Sequence, residues 1–298
     1  VRLKIKPGEP VLMDSVQVQV SGPGNAEPAL VAIAAASPLQ AGTRLDHAAY
    51  ERLKADLIRT ALELGYLDAK LTRRELLVDP PNRKATAQLE LDTGGQYRFG
   101  EITIEQDFIK HDLVMRLVRF RTGAVFSNDR LRSTQFALED SNYFSAVRVV
   151  PGRRDPETLT VPVTIDADRN RRDRYTVSLG YGTDTEIRGR FAWDNRRVNS
   201  RGHRSRIEFT GSSVLQEVIG RYVIPVGDPA LEKLEFTTGY ISEELGDVDS
   251  ERIEATVGLT QAMGQWQRVL FARLQNEKSS YPDGTRTEDL LLIPGISY

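Results

Sequence analysis

At 298 residues the chain has room for about two or three domains, and 40 Lys and Arg against 42 Asp and Glu leave a formal charge of -2. With no basic stripe or tail, nucleic acid is a poor partner on electrostatic grounds, and with no cysteine a disulfide framework and a cysteine-rich zinc site are both excluded. No apolar run reaches the ~18–20 residues of a membrane helix, although barrel strands, which alternate apolar and polar residues, escape such a scan.

The opening residues, Val1-Arg-Leu-Lys-Ile-Lys-Pro-Gly, match Ala87-Gln-Leu-Glu-Leu-Asp-Thr-Gly. They read as the last strand of a preceding module, over residues 1–10, so that the chain begins inside that module. Two further copies follow, 11–95 and 96–170. Each opens with a strand, Val16–Val20 in one and Ile102–Glu105 in the other. A helix comes next, Pro28–Ala36 and then Asp112–Phe120, followed by the loops Gly42–Leu45 and Gly123–Phe126. Asp46 and Ser127 stand where a helix N-cap belongs.

The second helix of the first copy carries Tyr50, Leu53, Leu57, Ala61 and Leu64 on one face, and its counterpart offers Leu131 and Leu138. These helices end at Gly65-Tyr66-Leu67 and Asn142-Tyr143-Phe144, where Gly or Asn suits the C-terminus. Two strands close each copy, Ala69–Val78 with Ala85–Leu91 and Ala146–Val150 with Leu159–Ile165, joined through Asp79-Pro80 and Asp155-Pro156. The unit is β-α-α-β-β. Two unrelated α+β domains are the alternative.

In such a sheet the third strand can pair with both others, leaving the second at an edge. An edge offers unpaired N–H and C=O groups to a client or partner strand. Ala69, Lys70 and Leu71, and Ala146, Val147, Arg148 and Val149, are the candidates. The competing reading is an edge blunted by Lys70, Arg73, Arg74 and Arg148.

After Asn170 the helical period stops. Tyr175, Val177, Leu179 and Tyr181 alternate with Arg174, Thr176, Ser178 and Gly180, and seven more alternating segments follow to Tyr298. Each is ~9–11 residues, the length of a tilted strand that crosses a bilayer. Arg188, Arg190, Arg206, Glu208, Arg221, Glu235, Arg252 and Glu254 belong to one face. Val177, Leu179, Phe191, Phe209, Tyr222, Phe236 and Val257 belong to the other, lipid-facing one. The acidic loop Glu243–Ser250 and the polar loop Lys278–Glu288 read as long outer connections; 194–202 and 225–233 fall on the opposite side. Residues 171–298 are therefore expected to form the first half, about eight strands, of a transmembrane β-barrel. A soluble sandwich shares the alternation.

Side-chain chemistry points away from catalysis. His47, His111 and His203 sit in unrelated segments without a second ligand at metal spacing. Gly180-Tyr-Gly182 precedes no helix, and Asp247-Val-Asp249 lacks the glycine and distal glutamate of a calcium loop. Arg169, Arg171, Arg172 and Arg174 form either a solvated linker or a contact to lipid phosphates. No enzyme activity, cofactor or metal is expected.

The repeats followed by alternating strands resemble the POTRA-plus-barrel superfamily of outer-membrane assembly proteins. Trp193-Asp-Asn-Arg-Arg-Val-Asn-Ser-Arg-Gly-His203 is similar to that family's Asn-Leu-Phe-Gly-Arg-Gly turn after the second barrel strand, with Asn199, Arg201 and Gly202 fitting and Ser200 replacing a glycine. Tyr222-Val-Ile-Pro225 with Asp228-Pro229 is similar to the end of its fourth strand. Within the superfamily the chain most resembles the TamA-like subunits of the translocation and assembly module. The resemblance implies an outer-membrane location with modules in the periplasm and unfolded β-barrel or autotransporter clients. It also implies an inner-membrane-anchored TamB-like partner, and a weak seam along the first barrel strand at Arg174, Val177, Leu179, Gly180 and Gly182. A two-partner secretion transporter, and a soluble periplasmic β-rich binding protein, are the other readings.

Overall fold

A computed structural model describes residues 9–37, 39–183, 186–245 and 248–298. The strand expected over the first residues lies outside these, as do residues 184–185 and 246–247.

The first repeat runs β1 (Leu12–Ser21), α1 (Pro28–Ala35), α2 (His47–Glu63), β2 (Lys70–Asp79) and β3 (Lys84–Asp92). Helix α2 starts where Asp46 accepts a hydrogen bond from the Ala48 N–H at 2.8 Å, satisfying one orphan donor of the first turn. It buries Tyr50, Leu53, Leu57 and Ala61 against β3, whose Ala85, Ala87, Leu89 and Leu91 alternate inward. Leu64 is the C-cap and is only partly buried. Gly65 then takes φ +86°, the left-handed conformation that ends a helix without a Cβ penalty.

The second repeat runs β4 (Arg98–Glu105), α3 (His111–Leu117), α4 (Asn128–Asp140), β5 (Phe144–Pro151) and β6 (Thr160–Arg169). Asn142 ends α4 at φ +62°. Helix α3 stops three residues before the predicted Phe120. Val118 is extended, and the Arg119 N–H turns to Thr134 Oγ1 at 2.9 Å rather than to a helical carbonyl. That release lets Phe120 stack on Phe99, centroids 4.0 Å apart, so core packing overrides the helical period.

Sheet order is β1-β3-β2 in the first repeat and β4-β6-β5 in the second. The third strand is central in each, as expected. The first strand is an edge as well as the second, which the sequence reading left out.

Residues 173–297 form eight strands: β7 (Asp173–Gly182), β8 (Glu186–Asn195), β9 (Arg204–Gly211), β10 (Leu215–Pro225), β11 (Lys233–Leu245), β12 (Val248–Met263), β13 (Trp266–Ser280) and β14 (Arg286–Ser297). They make one antiparallel sheet in sequential order. A sandwich needs two sheets, so that alternative falls. Register carries the alternation across the sheet. Val177 faces Phe191, Phe191 faces Phe209 and Phe209 faces Val218, while Tyr222 faces Phe236 and Phe236 faces Val257. All seven positions read as lipid-facing lie on this one apolar face.

The other face is charged and paired within itself: Arg190–Glu208 at 3.0 Å, Arg206–Asp194 at 2.8 Å and Arg221–Glu235 at 3.1 Å. One expectation is corrected. Glu243, Glu244 and Leu245 pair with Ser250, Asp249 and Val248, and β13 continues to Ser280, so the supposed long loops are largely strand. The longer connections, 196–203 and 226–232, lie at the opposite end. Charged residues at a hairpin tip gain the same ladder hydrogen bonds as apolar ones, so polarity alone misreads them as loop.

The chain folds as two compact units. One holds Val1–Thr103, Phe120–Arg132 and Val150–Thr164; the other holds Ile104–Arg119, Ser133–Val149 and Ile165–Tyr298. In the first unit, the step from one repeat to the next is held at Asp68. This carboxylate accepts the Tyr97 hydroxyl at 2.6 Å and pairs with Arg154 at 3.1 Å.

Candidate functional site

Two kinds of feature could act on another chain: unpaired sheet edges, and the segments that hold the barrel sheet to the last repeat's helix α3 and strand β5.

The candidate edge residues fall on or beside strands that end their sheets. Lys70 and Leu71 open β2, an edge strand, with Ala69 just before it; the strand is interrupted by a register shift between Leu71 and Arg73. Ala146, Val147, Arg148 and Val149 lie within β5, also an edge. Val147, however, is only 5% exposed, so its side chain belongs to the core. Arg148 is exposed and pairs with Asp166 across the sheet. Arg174, Val177, Leu179, Gly180 and Gly182 lie along β7, the terminal strand of the eight. Leu179 is 83% exposed, the most open of the apolar side chains on the lipid-facing side.

The turn at 196–203 is built around Asn199, whose side-chain carbonyl accepts the N–H groups of Arg201 at 2.9 Å and His203 at 3.3 Å. Gly202 sits at φ +74°. Its carbonyl accepts the buried Tyr143 hydroxyl at 2.6 Å, and the Ser200 carbonyl accepts the Lys110 N–H at 2.9 Å. A Cβ at Gly202 would come within 2.7 Å of Tyr143 Oη and would also strike Leu113. Only glycine therefore allows this turn to rest on α3 and the start of β5. Burial pushes the Tyr143 hydroxyl above its ordinary pKa, so it is a neutral donor. Arg201 itself is exposed.

A second latch joins the turn at 226–232 to α3. Arg119 pairs with both oxygens of Asp228, the second contact at 3.2 Å, and Arg116 reaches the Gly227 carbonyl at 3.3 Å. Asp228 also caps its own turn through the Ala230 N–H at 3.0 Å. A third contact is aromatic: the guanidinium groups of Arg169 and Arg197 lie 4.9 and 4.6 Å from the centre of the Phe108 ring, whose edge meets Phe144. Burial, then Arg169 and Arg172, lower the Arg197 pKa; the Phe108 ring compensates by its negative face.

Sequence reasoning found the turn but missed what it rests on. Tyr143, Lys110, Arg119 and Phe108 carry no local signal, because each is defined by a partner tens of residues away. Of the arginine cluster, Arg169 pairs with Asp107 at 3.0 Å and Arg174 with Asp194 at 3.5 Å, while Arg171 and Arg172 are exposed. His47 and His111 open helices α2 and α3. His203 contacts the Tyr222 hydroxyl through Nδ1 at 2.8 Å, and burial with Arg201 lowers its pKa.

Comparison with known proteins agrees with this geometry. Residues 97–169 match the family model described as POTRA, surface antigen variable number repeat. The fold is similar to BamA from Haemophilus ducreyi lacking POTRA domains 1–3, at TM-score 0.74 and 12% identity over 96% of this chain and 59% of that one. It is also similar to CdiB from Acinetobacter baumannii, at TM-score 0.53 and 12% identity over 97% and 56%. CdiB from Escherichia coli matches at TM-score 0.51 and 13% identity over 96% and 53%. The chain thus spans less than three-fifths of the length of each. It has the POTRA-plus-barrel fold.

Proposed function

We propose that this POTRA-plus-barrel chain is part of an outer-membrane protein that assembles or translocates β-rich clients, without enzymatic chemistry of its own. The observation that carries the reading is the two-faced sheet. Its apolar face is continuous from Val177 to Val257 across six strands, its charged face is ion-paired, and it follows directly on POTRA modules. In a bilayer that sheet is stable only with the apolar side to lipid. The modules then lie in the periplasm, because the turns at 196–203 and 226–232 touch the last repeat.

Within this reading the TamA-like role is preferred, with a TamB-like inner-membrane partner docking on a module edge. The test is reconstitution of the full-length protein in liposomes with a urea-unfolded barrel client. Expected is at least tenfold faster appearance of protease-resistant client than in empty liposomes. If the protein instead moves one soluble partner across the bilayer and leaves barrel clients unassisted, the two-partner conduit reading replaces it.

A further inference from the structure

The charged face of the barrel sheet has an uneven distribution of sign. At its module end, strands β7 to β10 enclose a cavity of about 240 Å³ lined by Arg174, Arg196, Arg204, Arg206 and Arg221, with Asp194 as the acidic member. Glu208 and Glu235 stand behind it and take up part of the charge: Arg206 reaches Glu208 at 2.6 Å and Arg221 reaches Glu235 at 3.1 Å. Glu208 also pairs with Arg190 at 3.0 Å and Glu235 with Lys233 at 2.9 Å, so positive groups outnumber carboxylates here.

The surplus is local. Arg196 donates to the neutral Asn170 side chain at 3.0 Å, and Arg204 lies 6.0 Å from the Tyr143 ring. Neither enters an ion pair among the described residues. Like charges gathered in one cavity repel, and a partly enclosed site screens that repulsion less than open water. An anion in the cavity removes the cost.

We infer that this arginine-lined cavity binds a phosphate group. Guanidinium forks pair with carboxylate or phosphate oxygens. A carboxylate offers two oxygens in one plane, and Asp194 already fills that role for Arg206. A phosphate presents several oxygens in different directions, which suits guanidinium groups converging from three strands and a turn. The group could arrive free or on a lipid headgroup. The inference needs this face to be wet, and does not depend on the assembly role.

The test uses full-length protein in a maltoside detergent and calorimetric titration with two probes, inorganic phosphate and dihexanoyl phosphatidic acid. The wild type is expected to bind at least one with a millimolar or tighter Kd, weakened when salt is raised. R196Q/R204Q, which leaves no carboxylate stranded, is expected to lose at least tenfold in affinity, while R252Q, on the same face beyond the cavity, stays within twofold. Similar affinity for both probes identifies the phosphate group alone as the ligand. Tenfold preference for the phosphatidic acid identifies a lipid headgroup. Heat-modifiable mobility on gels checks folding, and single R196Q and R204Q proteins, each expected to lose at least threefold, are read if the double variant does not fold. Absence of binding by the wild type, or unchanged binding by the folded variants, overturns the inference.

Discussion

Gly202 illustrates how one backbone dihedral holds two structures together. Its positive φ and missing Cβ admit the Tyr143 hydroxyl at 2.6 Å from its carbonyl. Gly202→Ala must strain the backbone and displace Tyr143 and Leu113, at a cost of about 1–3 kcal/mol. Tyr143→Phe removes only the hydrogen bond, about 1 kcal/mol. The expected order in thermal unfolding of the full-length protein is wild type, then Tyr143→Phe, then Gly202→Ala.

His203, beside it, makes the turn sensitive to acid. Burial and Arg201 lower its folded pKa. The unfolded chain therefore takes up a proton first as pH falls, and the stabilisation present above about pH 6.5 is lost below it. Melting temperature should drop between pH 7.5 and 5, and His203→Gln should flatten that part of the profile. An unchanged profile would remove His203 from the account.

Among elements, the edge strand β5 separates backbone from side-chain recognition. Val147 is buried, so a threonine there buries a hydroxyl and disturbs the core whatever the edge does. The exposed Arg148 is the better probe. If clients or a partner add a strand to β5, Arg148→Thr should retain crosslinking to them, and Arg148→Pro should abolish it by deleting a donor. Protease resistance of the modules must be equal in both. Equal crosslinking by the two folded variants would make the edge merely structural.

On the barrel sheet the same logic applies to faces. Phe191→Arg, set on the apolar side, should cost about 2–4 kcal/mol near mid-membrane, and Arg190→Phe on the charged side much less. Folding titrations into liposomes measure both.

For the whole molecule, the side of each turn is the testable quantity. Turns touching the last repeat must share its compartment. Cysteine at Ala230 should therefore resist an impermeant thiol reagent on intact cells and label after permeabilisation. Cysteine at Asp283, in the β13–β14 connection, should label on intact cells. Asp247, in the acidic segment expected on the same side, lies outside the described residues. The reverse pattern would invert the topology.

Much of this architecture was legible along the chain, since its signals are local. The period of α2, the Asp46 cap, Gly65 and Asn142 at helix ends, and strict alternation from Tyr175 onward each depend on residues a few positions apart. Alternation even assigned the two faces of the barrel sheet, because side chains along a strand must point to opposite sides. Three matters required the tertiary structure. Helix α3 stops early because Phe120 is needed on Phe99, a contact across the fold that helical propensity does not encode. The hairpin tips extend because cross-strand pairing, not residue polarity, decides where a strand ends. The supports of the 196–203 turn, and the cavity that gathers Arg174, Arg196, Arg204, Arg206 and Arg221, arise only when distant segments meet. Sequence spacing sets periodicity, but ion pairs, ring contacts and cavities belong to residues that are neighbours in space alone.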